Sequence, residues 1–112
     1  MQDLLDEVNT RRRLLHQALE LYKQRATELA SAEREYKVAS AKYITEQRLN
    51  GTPATLIREL AQGEPAIADL RYKRDVAQGL YDSCKEAINV YKLDLRLLDG
   101  QIEREWHSGN NE

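Results

Sequence analysis

The chain has 112 residues, of which 41% are hydrophobic, 32% charged and only 6% aromatic, with no phenylalanine. This composition allows one small domain and excludes a thick globular core built on aromatic packing. Seventeen basic against nineteen acidic side chains give a net charge of −2, so no overall field selects nucleic acid, an acidic membrane or a cationic ligand.

All five glycines and both prolines lie beyond Leu49, which leaves the first 49 residues without a helix breaker and predicts one long helix over 3–49. Its apolar residues repeat every seven positions. Val8, Leu15, Tyr22, Leu29, Tyr36 and Tyr43 take heptad position a, while Leu4, Arg11, Ala18, Arg25, Ala32 and Ala39 take position d. Asn50 and Gly51 end this helix, because both tolerate left-handed backbone. Thr52 as cap and Pro53 as first residue then open a short helix over 53–62 that stops at Gly63. Leu56, Ile57 and Leu60 are expected to fold back as a lid on the hairpin end.

Pro65 opens a second long helix, predicted over 65–106. Position a holds Ile67, Arg74, Tyr81, Ile88, Leu95 and Ile102, and position d holds Leu70, Ala77, Cys84, Tyr91 and Leu98. Val76, Leu80, Ala87, Val90, Leu93 and Leu97 form an additional apolar strip outside that seam, more than one partner helix can cover. Residues 108–112 carry no apolar pattern and are expected to form a disordered tail. The predicted fold is therefore all-α: a single domain over 1–107 made of a long antiparallel, coiled-coil-like helical hairpin with a short connecting helix. Its surplus strip predicts dimerisation into a four-helix bundle, or a higher homo-oligomer. Arg25 and Arg74, charges within the seam, are expected to set register and partner choice at a cost in stability.

Chemistry has little to work with. His16 and His107 lack the Glu-x-x-His spacing of a carboxylate-bridged metal bundle, since Arg13 and Arg104 stand three residues before them. Cys84 sits on the seam and reads as a packed thiol. No phosphate loop, HExxH or Gly-x-Ser-x-Gly occurs. The expectation is a non-enzyme with no cofactor and no metal.

A lone cysteine, an acidic start (Asp3, Asp6, Glu7) and the lack of any apolar run near 20 residues point to an intracellular protein without a membrane segment. Two basic clusters, Arg11-Arg12-Arg13 and Arg71 with Lys73 and Arg74, fall at opposite ends of a hairpin. Arg11, Arg12 and Arg13 are the candidate nucleic-acid contacts, but neither long arm is basic overall: residues 1–49 carry nine basic and eight acidic side chains, and 64–112 carry seven and ten. The stretch 55–69 fits a helix-turn-helix poorly, because Arg58 and Gln62 fall where apolar residues are needed.

The segments Gly51-Thr52-Pro53-Ala54-Thr55, Arg71-Tyr72-Lys73-Arg74-Asp75-Val76-Ala77, Glu86-Ala87-Ile88-Asn89 and Gln101-Ile102-Glu103-Arg104-Glu105-Trp106, with Asn9-Thr10-Arg11 near the start, resemble short helical proteins encoded by phages and prophages of Gram-positive bacteria. The resemblance implies a phage or prophage origin and action in the bacterial cytoplasm, and it assigns no site residue. Residue pattern and resemblance together predict a protein–protein interaction module, adaptor or inhibitor, with Val76, Leu80, Val90, Leu93 and Leu97 as the packing interface. The alternative is a nucleic-acid-binding accessory factor of phage replication or recombination.

Overall fold

A computed structural model describes residues 1–110, and these form three helices: α1 (Gln2–Leu49), α2 (Ala54–Gly63) and α3 (Pro65–Asn110). The all-helical architecture, two long helices joined by a short one, is as expected. Helix α3 continues through Ser108 and Gly109 to Asn110, past the point where the tail was expected to begin, and positions 111–112 lie outside the described residues. The chain divides into two compact units. One unit joins Met1–Gln24 to the chain from Asp82 onward, and the other is Arg25–Tyr81.

The turn after α1 is built by backbone hydrogen bonds. Gly51 N–H donates to Arg48 O at 3.1 Å and Thr52 N–H donates to Gln47 O at 3.0 Å, the paired closure that satisfies two carbonyls at a helix end. Gly51 carries the reversal at φ +80°, a conformation open to glycine because it lacks Cβ. The Thr52 hydroxyl donates back to Gln47 Oε1 at 2.7 Å and so does not cap α2. The residue before α2 is Pro53, with no side-chain cap. The first-turn role of proline holds at Pro65, the first residue of α3.

In the unit Arg25–Tyr81, α2 buries Ile57, and Ile67 of α3 is buried with it. Leu56 and Leu60 remain exposed, so the expected lid has a single apolar anchor. Arg71 Nη2 donates to Gln62 O at 2.9 Å and satisfies one of the terminal carbonyls of α2.

In the other unit the arms run antiparallel. Arg11 of α1 meets Asp94 of α3 at 3.9 Å, and farther along α1 Ala18 meets Cys84, earlier in α3, where the thiol donates to Ala18 O at 3.3 Å. Ala18, Cys84 and Ile88 are the buried residues here. Every a and d position named above is buried or half-buried, so the heptad seam is the packed face in both units. Small Ala18 opposite Cys84 lets two backbones approach closely enough for a side-chain-to-backbone bond.

Candidate functional site

The expected packing interface is uncovered. Val90, Leu93 and Leu97 are 48%, 49% and 63% exposed, and their spacing of three and four residues sets them on one side of α3. In the same unit, Leu21 of α1 is exposed and shares a shallow groove with Leu14, Gln17, Ala87 and Tyr91, floored by Ala18 and Cys84. Leu97 borders a second concavity with Glu7, Arg11 and Asp94. An apolar row with a polar rim is thus built on a rigid helical face. Val76 and Leu80, the remaining members of the expected interface, belong to the other unit and are exposed as well.

The candidate nucleic-acid contacts divide. Arg11 is half-buried between Glu7, at 3.6 Å, and Asp94, at 3.9 Å, so its charge is locally compensated. Arg12 and Arg13 are exposed. The second basic cluster is dispersed: Arg71 caps α2, Lys73 shares a concavity with Glu28 and Glu35, and Arg74 bonds Asp75. The Asp75 hydrogen bond, more than any other influence, raises the Arg74 guanidinium further above its usual range.

A feature that sequence reasoning missed lies in Arg25–Tyr81. Arg48 of α1, Arg58 of α2 and Arg71 of α3 line one cavity of about 590 Å³ with Tyr36, Ser40, Gln62 and the apolar residues Ile44, Ile57 and Ile67. No acidic side chain is among its lining residues. Three arginines spread over 24 positions on three helices leave no local motif, and only the docking of α2 brings them to one cavity. The Ser40 Oγ atom is shielded and has no hydrogen-bond partner.

Cys84 is buried, and His107 pairs with Glu103 at 3.7 Å on an exposed turn. No group of three or more His, Cys, Asp or Glu side chains able to hold a metal occurs among the described residues. No described helix is long and apolar enough to cross a membrane. Comparison with protein-family models, curated proteins and solved structures finds no match to the chain.

Proposed function

We propose that this protein is a non-catalytic protein–protein interaction module whose contact face is the exposed row Val90, Leu93 and Leu97 with Leu21. The carrying observation is that these four large apolar side chains belong to one unit and are all exposed, with Leu21 lining one shallow groove and Leu97 another, and exposed apolar clusters of this kind mark interfaces. Each is already about half covered, so burying the remainder contributes roughly 1–1.5 kcal/mol per side chain, which in sum offsets part of the cost of association. An α-helix laid along the row is the matching shape, and a second copy of this chain supplies one with the same face, closing two hairpins into a four-helix bundle. The setting, a phage or prophage protein acting in a bacterial cytoplasm, rests on the sequence resemblance alone.

Light scattering on the full chain tests the reading. A particle of twice the 13.0 kDa chain mass is expected, and Val90→Glu with Leu97→Glu returns it to the monomer without loss of helical circular dichroism. A native monomer at tens of micromolar would overturn self-association. Salt-sensitive DNA binding abolished by Arg12→Ala and Arg13→Ala would favour the nucleic-acid role instead.

A further inference from the structure

We propose that the cavity lined by Arg48, Arg58 and Arg71 binds an organic phosphate, that is, a phosphoryl or pyrophosphoryl group carried on a flat, largely apolar body. Some arginines of this chain have carboxylates within 4 Å, Arg11 (Glu7 and Asp94), Arg25 (Glu28) and Arg74 (Asp75), while Arg12, Arg13, Arg34, Arg96 and Arg104 are unpaired among the described residues but line no cavity free of carboxylates in common. Arg48, Arg58 and Arg71 have no such ion pair among the described residues, and all three line the same cavity. What distinguishes them is that three positive charges and no negative one face a single concavity.

The chemistry of the wall selects the class of ligand. A guanidinium offers a planar fork of N–H donors that matches phosphate oxygens two at a time. Three of them exceed the charge of a single carboxylate and suit a phosphate, which carries about −1.5 to −2 near neutrality. Arg71 already gives one donor to Gln62 O, which fixes its guanidinium in place and leaves its other N–H groups available. The Ser40 hydroxyl, shielded and unpaired, is a hydrogen-bonding group that burial penalises until a partner arrives. Ile44, Ile57 and Ile67 add an apolar portion to the same lining. The volume falls in the range of small-molecule sites, about 300–1,000 Å³. A bare inorganic anion would use the arginines and leave that apolar portion wet, whereas a nucleotide-like molecule uses both.

Titration calorimetry on the full chain, with ADP, inorganic pyrophosphate and adenosine as probes, tests this. ADP is expected to bind most tightly, pyrophosphate more weakly, and adenosine at least about tenfold more weakly than ADP. Raising salt should weaken the two phosphates and leave adenosine little changed. Arg48→Ala and Arg58→Ala, both at exposed positions, should each weaken ADP severalfold, and Ser40→Ala should weaken it while helicity is retained. Arg12→Ala with Arg13→Ala, in the other unit, should leave ADP binding as it was. Absence of heat with both ADP and pyrophosphate at millimolar concentration would overturn the proposal. So would equal losses from the Arg12/Arg13 control, which would show diffuse attraction to surface charge. Because cavity and apolar face lie in different units, a failed titration leaves the oligomer experiment unaffected, and the reverse is also true.

Discussion

The guanidinium carbon of Arg74 lies 4.6 Å from the centre of the Tyr36 ring, and Nε and Nη2 of the same arginine both donate to Asp75 Oδ1, at 3.1 and 2.9 Å. A charge in a helical seam is expected to destabilise unless paired, and this one is paired on two sides, by a carboxylate of its own helix and by the face of an aromatic ring from the facing one. The sequence-level expectation that Arg74→Leu raises the melting temperature is therefore reversed. Arg74→Leu and Tyr36→Leu should each lower it by a few degrees, with the two effects non-additive in the double-mutant cycle. Strict additivity of the two changes would remove the ring contact from the account.

Two glycines should answer the same substitution with opposite signs. Gly51 sits at φ +80°, and a Cβ added there meets nothing within 4 Å, so Gly51→Ala suffers from backbone strain alone, about 1–2 kcal/mol. Gly79 is helical and its added Cβ is equally unobstructed, so Gly79→Ala should stabilise by about 1 kcal/mol through helix propensity. Urea unfolding of the two variants, read as midpoints at constant slope, checks both. A stable Gly51→Ala would mean the turn had rearranged.

Truncation should separate the seam from the outer row. Ile88 is 6% exposed, and Ile88→Ala should lower stability by about 2–4 kcal/mol through lost burial and the cavity left behind. Leu97→Ala should lie within about 0.5 kcal/mol for the isolated hairpin, yet weaken association of the native chain. Thermal melts at several protein concentrations resolve the two effects, because only an association term makes the melting temperature depend on concentration.

Cys84 should be inert in the folded state. Its sulfur is buried and donates to Ala18 O, so a thiol reagent must await local opening. Labelling should be slow in buffer and immediate in denaturant. Rapid labelling of the native chain would show that Met1–Gln24 opens away from α3.

Period and punctuation made most of this architecture legible. The heptad positions from Leu4 to Tyr43 and from Ile67 to Ile102 all fall on the covered face, because a seam of half-buried side chains leaves its repeat directly in the residue order. Capping was less legible. Thr52 has the chemistry of an N-cap, but its hydroxyl donates to Gln47 and Pro53 takes the N-cap position of α2. The large residues of the outer strip, Val76, Leu80, Val90, Leu93 and Leu97, stand exposed off the seam, and so do Leu56 and Leu60, where a short amphipathic helix predicts cover. The arginine cavity had no sequence signature, since Arg48, Arg58 and Arg71 share neither a helix nor a period.

The bond from Cys84 to Ala18 joins residues 66 positions apart, whereas the contacts that close the Gly51 turn join residues three and five apart. Bringing chain ends together grows more costly with the length between them, by about 0.6 kcal/mol for each doubling. Arg25–Tyr81 is continuous in sequence and can order itself from local contacts. The two segments of the other unit must first have that intervening chain folded short, so their association is contingent on it. Folding should consequently begin at the turn and proceed outward, with unfolding in the reverse order. Native-state hydrogen exchange should therefore show the amides around Val90, Leu93 and Leu97 opening more readily than those around Arg48, Arg58 and Arg71.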